Sequence, residues 1–366
     1  MSVPKLRFPG FAGEWEPAKL ADLCALKAGK FIESDQISSD QRDGMYPCYG
    51  GNGLRGFVTK YNTIGRYPLV GRQGALCGNV KLATGKYYAT EHALIAEPQS
   101  DMNVDWLFYQ LAKLNLNRFA TGVAQPGLSV EVLNGIAAKR PNETEEQQKI
   151  AAFLGAVDAK LAALAARQAA LGRFKAGLMQ KLFSQQLRFT QDDGRAFPDW
   201  EEKRLGDICN YFRSGIGITS GQIFETGTYP VYGGNGLRGY CDDFTHDGDF
   251  ILIGRQGALC GNINWAKGRS YISEHAIAVN SNNLSRIEWL FYRLDDLKLN
   301  RLSESSAQPG LSVEKLKRLK LNTPHPAEQQ KIAAALSAMD AKVQAVADQI
   351  TGLEIFKKGL LQQMFV

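Results

Sequence analysis

The sequence is poor in the residues that hold metal ions or build redox sites. Its 366 residues include four histidines, and none of its six cysteines forms a C-x-x-C pair. The sequence therefore offers few histidine and cysteine ligands for a zinc cluster. We therefore expect no metal site, and we expect the cysteines to be reduced, structural thiols.

Apolar runs long enough to cross a bilayer are missing as well, and the first residues, MSVPKLRFPGF, lack the apolar stretch of a secretory signal. We expect a cytoplasmic protein without a membrane partner. Hydrophobic residues make up 44% of the chain and charged residues 22%, which is typical of a globular protein. The formal charge of +6 is compatible with a polyanionic partner but is too small to predict DNA by itself.

What the sequence does contain is a long internal repeat. YGGNGLRG begins at Tyr49 and returns at Tyr232, 183 residues later. The same offset relates further pairs of segments: GRQGALCGN at Gly71 and Gly254, Glu-His-Ala at Glu91 and Glu274, Trp-Leu-Phe-Tyr at Trp106 and Trp289, and QPGLSVE at Gln125 and Gln308. The chain is therefore two tandem copies, each the size of a domain.

Each copy begins with a globular part. Short β-rich runs, YPLVGRQG and FILIGRQG, are followed by segments whose pattern predicts helices, DWLFYQLAKL and EWLFYRLDDL. This combination predicts a mixed α/β domain.

Each copy ends in about forty residues whose apolar positions alternate steps of four and three, the spacing of a coiled-coil seam. Thr144 and Gln147 predict a capping box at the start of the first helix. The expected seam residues are Ile150, Leu154, Val157, Leu161, Leu164, Gln168, Leu171, Phe174, Leu178 and Leu182, and in the second copy Ile332, Leu336, Met339, Val343, Val346, Ile350, Leu353, Phe356, Leu360 and Met364.

Two packings of these helices are open: each helix lies on its own domain, or the two pair with each other. The seam is longer than one domain can cover, so we favour pairing. We predict an α+β fold with two mixed α/β domains (1–143 and 186–325). Long spacer helices (144–185 and 326–366) form an intramolecular antiparallel two-helix coiled coil between them, with pseudo-twofold symmetry.

The order of these segments resembles the specificity subunit of type I restriction-modification systems, over nearly the full length. The similarity rests on VPKLRFPGFAGEW, on QPGLSVEVLNGIAAKRPNETEEQQKIAAFL leading into the first long helix, and on FKAGLMQKLF, which returns as FKKGLLQQMF. The chain departs from the family in being compact and in having unusually similar domains.

The resemblance implies that each globular domain is a target-recognition domain reading one half of a bipartite site in double-stranded DNA. It implies helices that set the spacing and dock two adenine methyltransferase subunits, which use S-adenosylmethionine. Restriction/translocase subunits that use ATP and Mg²⁺ join them for cleavage. The chain itself would be non-catalytic and free of cofactors, consistent with its lack of a G-x-x-x-x-G-K-[ST] loop and of Asp-Pro-Pro-Tyr or Asn-Pro-Pro-Phe.

Two other function classes stay open. One is a coiled-coil adaptor whose globules bind protein or RNA, which predicts no preference for a duplex DNA sequence. The other is a nuclease or methyltransferase acting alone, against which the missing catalytic signatures argue.

Candidate DNA contacts lie in the repeated glycine-rich loops. The Asn-Gly step of YGGNGLRG predicts a β-hairpin with a type I′ turn, which is either a turn alone or a tip that presents polar side chains to base edges. In GRQGALCGN the glycines let the backbone approach phosphate while long side chains reach out; alternatively Arg72 pairs with Glu91. The candidates are Asn52, Arg55, Arg72 and Gln73, and in the second copy Asn235, Arg238, Arg255 and Gln256.

Other candidates are weaker. Arg118 and Arg301, in the Leu-Asn-Arg segments, either touch phosphate or belong to an ordinary surface loop that leads to Gln125 and Gln308. The single histidines His92 and His275 are interpreted as structural rather than functional.

Sequence preference should arise where the copies differ, most of all in 27–45 against 211–228. Lys27, Lys30 and Arg213 are the basic candidates there. Because the other loops agree closely, we predict two related half-sites in an inverted, near-palindromic arrangement. A 40-residue helix is roughly 60 Å long, which limits the separation of the half-sites to about 17 base pairs.

Overall fold

The computed structural model describes residues 3–74, 76–122, 126–257, 259–303 and 310–366. The chain divides into two compact units. Unit 1 is Met1–Ala166 with Asp348–Val366, and unit 2 is Arg167–Ala347. Each unit therefore contains one globular domain and part of each of two long helices.

Over its described residues, the globular part of unit 1 contains eight strands and three α-helices. They are β1 (Glu16–Lys19), α1 (Leu20–Leu23), β2 (Cys24–Ala28), β3 (Tyr46–Gly50), β4 (Gly53–Val58), β5 (Thr63–Gly71), β6 (Val80–Ala89), β7 (Ala93–Pro98), α2 (Val104–Lys113), α3 (Val130–Asn134) and β8 (Ala137–Arg140). The first long helix, α4 (Thr144–Phe183), follows.

Six of these strands form one sheet in the order β2-β7-β5-β6-β3-β4, and β1 pairs with β8 in a separate ribbon. The pairing is antiparallel except between β3 and β6. Helix α2 begins where the Asn103 side chain accepts hydrogen bonds from the Asp105 and Trp106 amides, a standard N-cap. Its buried face, including Trp106, packs into the core of the unit.

Unit 2 repeats this architecture with two differences: Leu205–Ile208, which correspond to α1, form a 3₁₀ helix, and one strand is divided in two. Its elements are β9 (Glu201–Arg204), β10 (Cys209–Ser214), β11 (Tyr229–Gly233), β12 (Gly236–Cys241), β13 (Phe250–Gly254), β14 (Ile263–Ala266), β15 (Tyr271–Ile272), β16 (Ala276–Ser281), α5 (Ile287–Asp296), α6 (Val313–Lys317), β17 (Lys320–Thr323) and α7 (Pro326–Met364). The strand β6 of unit 1 corresponds here to two strands, β14 and β15. The sheet is therefore divided into β10-β16-β13-β14 and β12-β11-β15, with β17 and β9 as the ribbon. Gly268, with a φ of +67°, lies at the break.

Within each unit the two helix segments run antiparallel. In unit 1 Lys357 Nζ lies 2.5 Å from Asp158 Oδ1, and Tyr109 of α2 donates to Asp158 Oδ2 at 2.7 Å. In unit 2 Lys175 and Tyr292 hold Asp340 in the same way, at 2.5 and 2.8 Å. Burial, followed by the hydrogen bond to aspartate, raises the pKa of both tyrosines. The predicted mixed α/β domains and antiparallel helix pairing are confirmed.

The seam differs from the prediction in two respects. Near the ends of the helices its residues also join the domain cores, where Ile150, Leu154 and Leu360 share one cluster with Trp106. Further along, Phe174 and Phe356 are 61% and 51% exposed, so assigning them to the seam was wrong. Helix pairing and packing on the domain thus occur together, each over part of the helix.

The predicted capping box at Thr144 is also wrong. The Gln147 side chain instead accepts from the Asn103 amide at 2.8 Å and donates to Asp101 O at 3.3 Å. Gln329 makes the matching bond to the Arg286 amide in unit 2. These glutamines fasten each long helix to the shorter domain helix, α2 or α5.

A buried glutamate at the start of each long helix ties down the duplicated Leu-Arg-Phe segment. Arg7 donates twice to Glu146, at 2.8 Å each, and Trp15 Nε1 donates to the same carboxylate at 3.4 Å. Arg188 and Trp200 bind Glu328 in unit 2. The hydrogen bond to glutamate raises the pKa of both arginines. The repeated segments LRF and EQQ therefore have a structural explanation.

The described residues contain no helix that is long and apolar enough to span a membrane. Over the same ranges, no group of three or more His, Cys, Asp or Glu side chains is placed to hold a metal ion. All six cysteines are free thiols.

Candidate nucleic-acid interface

The repeated YGGNGLRG forms the hairpin β3–β4, with Gly50 paired to Gly53 and a two-residue connection, Gly51–Asn52. The hairpin was predicted, but its turn was not: the positive φ falls on Gly53, at +94°, and not on Asn52. A type I′ turn requires positive φ at both connecting residues, so that assignment was wrong. Gly236, at +91°, has the same role in unit 2.

The repeated GRQGALCGN forms a tight turn beside this hairpin. Gly71 N donates to Asn79 O, Gly78 N to Gly71 O, and Asn79 N to Leu76 O, at 2.8 to 3.2 Å. A side chain at Gly71 would collide with the carbonyl of Gly51 in the hairpin tip. Glycine is required at Gly71 because two backbones touch there.

Three further repeated segments meet this turn. Arg72 N donates to His92 O at 2.8 Å. Gln73 forms a bridge with Gly127 of the QPGLSVE segment. Asn117, next to Arg118, donates to Cys77 O at 2.9 Å. Five segments spread over 80 residues therefore converge on one surface, whereas Trp-Leu-Phe-Tyr lies in the core.

An open depression of about 480 Å³ lies at this convergence. The hairpin tip from Gly50 to Arg55, the turn residues Gln73 and Gly74, and His92 line it. The His92 side chain is 41% exposed and pairs with Glu91 at 3.0 Å. The histidine side chain therefore belongs to the surface, while its carbonyl has the structural role of holding Arg72.

Unit 2 builds the same surface from the second copy. Arg255 N donates to His275 O at 2.9 Å, and Gln256 bridges Gly310. His275 pairs with Glu274 at 3.4 Å. The same backbone contacts between the repeated segments are therefore present in both units.

The predicted side chains differ in what they contact. The alternative in which Arg72 pairs with Glu91 is not formed, and neither Arg72 nor Arg255 has a side-chain partner in the described ranges. Arg55 donates to Ser34 Oγ at 2.8 Å, whereas Arg238 binds no described residue. Of these four arginines, Arg72, Arg238 and Arg255 have no side-chain partner among the described residues.

Arg118 and Arg301 lie in short 3₁₀ helices at the edge of this surface. Arg118 stacks on the Phe119 ring at 4.7 Å. Burial, and next the charge of Arg118, lowers the pKa of the neighbouring Lys113. Gln125 and Gln308 lie outside the described residues.

The three candidates from the divergent segment are not equivalent. Lys27 is bound to Glu97 at 2.5 Å. Lys30 follows β2 and bridges Thr90, beside the Glu-His segment. Arg213 lines a separate depression of about 400 Å³ in unit 2, together with Arg204, Lys317 and Arg318. Of the three, only Lys30 lies next to the shared surface.

Sequence reasoning missed several residues at this surface. Leu54 and Leu237 stand exposed at the hairpin tips, at 56% and 53%. The Lys81 side chain lies against Gly53 of the hairpin in unit 1, and the Asn264 side chain lies against Gly236 in unit 2. Aligning GNVKL with GNINW reveals the Lys81/Asn264 difference, but not that it lies against the hairpin.

Comparison with known proteins gives the family. The model of the type I restriction modification DNA specificity domain matches residues 12–173 and 198–354. The EcoprrI type I restriction enzyme specificity subunit of Escherichia coli is 40% identical over 168 residues, which are 45% of this chain and 41% of that protein. A putative specificity subunit of Haemophilus influenzae, S.HindORF215P, is 24% identical over 38% of this chain and 37% of its own length. The chain thus spans well under half of these two relatives.

Other relatives are matched over nearly their full length. The MjaVIII type I restriction enzyme specificity subunit of Methanocaldococcus jannaschii is 22% identical over 95% of this chain and 91% of its own. The crystal structure of the type I restriction-modification S subunit from M. genitalium superposes with a TM-score of 0.72 at 22% identity, covering 100% of this chain and 99% of that one. This similarity shows a shared fold. The chain belongs to the type I restriction modification DNA specificity domain family.

Proposed function

We propose that this chain is the DNA sequence-recognition subunit of a type I restriction-modification complex. Each globular domain reads one half of a bipartite site in double-stranded DNA. The long helices set the distance between the half-sites and dock the methyltransferase subunits. The chain performs no chemistry itself and acts in the cytoplasm, where the DNA is.

One observation carries the proposal. Two copies of one surface, each built from five segments, present Arg72 and Arg255, whose side chains have no partner among the described residues, on a backbone fixed by glycines. Arginine on a rigid backbone suits phosphate and guanine, and neighbouring amide side chains suit adenine. Two copies of the same surface suit a DNA site that has two related halves.

The partners follow from the family. We propose two adenine methyltransferase subunits, which bring S-adenosylmethionine, and restriction/translocase subunits, which bring ATP and Mg²⁺ for cleavage. Exposed Phe174 and Phe356 occupy corresponding positions on the two long helices and are candidates for this docking. An adaptor whose globules bind protein or RNA is the alternative function.

The test is sequence-selective binding and methylation. The chain is expressed with its methyltransferase partner, and methylated adenines are mapped across the genome. We expect one bipartite motif. A mapped duplex should then bind the complex in preference to a shuffled duplex, whereas equal binding of both would favour the adaptor.

A double variant and a control variant locate the interface. In Arg72→Ala/Arg255→Ala, two phosphate contacts are lost, so the negative slope of log K against log salt should become shallower, its magnitude decreasing by about two. Lys160→Ala, an exposed lysine of α4, should leave the slope unchanged. Equal slopes for all three proteins would remove these arginines from the interface.

A further inference from the structure

We infer that a pair of asparagines at each hairpin tip reads an adenine, at equivalent positions of the two half-sites. In unit 1 the pair is Asn52 and Asn79. In unit 2 it is Asn235 and Asn262. The inference rests on the proposed function and assigns a base to the surface already described.

The geometry is the same in both units. Asn79 Nδ2 donates to Asn52 Oδ1 at 3.3 Å, and Asn262 Nδ2 donates to Asn235 Oδ1 at 3.3 Å. All four side chains are exposed. Each bond joins residues 27 positions apart, from the hairpin tip to the last residue of the GRQGALCGN turn. Two amides are thus held side by side, facing solvent.

This single bond leaves the NH2 group of one amide and the carbonyl oxygen of the other without any bond. Asn52 Nδ2 and Asn79 Oδ1 have no hydrogen-bond partner among the described residues, and the same holds for Asn235 Nδ2 and Asn262 Oδ1. Exchanging nitrogen and oxygen in both amides of a pair leaves the same set. Each pair therefore always presents one amide NH2 group and one carbonyl oxygen that take no part in the bond.

Of the four bases, adenine alone offers in the major groove both an acceptor for the amide NH2 group and a donor for the carbonyl oxygen. It offers an acceptor at N7 and a donor at N6, whereas guanine offers acceptors at both N7 and O6. With guanine, the free carbonyl of the pair would face O6, and two acceptors would oppose each other. Cytosine offers only a donor, and thymine an acceptor and a methyl group.

The backbones under these side chains are fixed. Asn79 N and O are both bonded within the turn, as are Asn262 N and O in unit 2. Asn52 lies between the paired glycines Gly50 and Gly53. None of the four asparagines has positive φ, so alanine fits each position without strain.

The experiment determines base preferences of the full-length complex with its methyltransferase, using duplexes in which each half-site position is varied in turn. In the parent protein we expect adenine over guanine at one equivalent position in each half-site. Asn79→Ala should lower that preference about ten-fold to a hundred-fold in one half-site only. Asn262→Ala is the matched control and should do the same in the other half-site.

Other outcomes overturn the inference. An unchanged adenine preference in Asn79→Ala, or an equal loss in both half-sites, would contradict it. Thermal unfolding checks that each variant folds, and Asn52→Ala repeats the test from the other side of the pair. If the parent complex prefers no sequence, the proposed function fails; if it prefers a sequence but the variants keep its adenines, only this inference fails.

Discussion

At the scale of single residues, the charged side chains form two groups: buried ones that hold elements together, and surface ones that we propose to contact DNA. Glu146 is buried and satisfied by Arg7 and Trp15, so this cluster holds the start of α4 to the domain. Arg72 and Arg255 are partly exposed, and their side chains contact no partner in the part of the chain that the structure describes. Removing a member of the first group should affect stability, and removing one of the second should affect binding.

Glu146→Gln should lower the free energy of unfolding of unit 1 by about 3 kcal/mol, because it leaves the largely buried Arg7 guanidinium without its counter-ion. Urea unfolding followed by tryptophan fluorescence measures this. Glu202→Gln removes an exposed pair with Lys320 and should cost less than about 1 kcal/mol. Similar losses of unfolding free energy in both variants would mean that the buried pair Arg7–Glu146 stabilises the unit no more than an exposed pair does.

Residue patterns predicted part of the surface. The glycines, Arg72 and Gln73 were found because both copies repeat them. The bond between Asn52 and Asn79 was not, since 27 residues separate its partners and only the fold brings them together. The turn type was also missed, because an Asn-Gly step favours positive φ at both residues while packing of Gly51 against His92 and Gln73 sets a different turn.

At the scale of elements, each end of a long helix packs into the core of a globular domain. Periodicity predicted the long helices well because apolar spacing alone determines a helix face. It could not distinguish a residue that faces the partner helix from one that faces solvent, as exposed Phe174 and Phe356 demonstrate. Nor did it predict that β6 of unit 1 would correspond to two strands in unit 2.

A seven-residue insertion in both helices, after Ala166 and after Ala347 where the units divide, should lengthen the spacer of the recognised site by about three base pairs. Seven residues add roughly 10 Å of helix, and each base pair rises 3.4 Å. Mapping methylated adenines measures the spacer.

The matched control inserts seven residues in α4 only. That change shifts one helix past the other and should destabilise the complex rather than lengthen the site. A spacer that stays the same after the double insertion would contradict a role of the helices in setting distance.

At the scale of the whole molecule, the internal repeat determines how the chain is organised, and the sequence alone reveals this repeat. Both units present the same five segments, so the half-sites should be related and inverted. The main differences are the segments 27–45 and 211–228. They lie at corresponding places, since Ser38 bridges Phe57 in unit 1 and Phe224 bridges Tyr240 in unit 2.

Replacing residues 211–228 with residues 27–45 should make the second half-site resemble the first more closely and leave the first unchanged. The reason is that this segment carries most of the difference between two otherwise shared surfaces. Methylation mapping of parent and chimaera provides the comparison. Unrelated half-sites in the parent, or a change in the first half-site of the chimaera, would refute this.

The division of the chain also affects its biosynthesis. Phe365 packs against Trp15 and Trp106, with ring centroids 6.0 Å apart in each case. Residues 348–366 leave the ribosome long after residue 166, so the N-terminal domain stays incomplete during most of translation. A nascent chain must protect an open hydrophobic core until then, and a premature stop codon near the 3′ end would damage the domain encoded at the 5′ end.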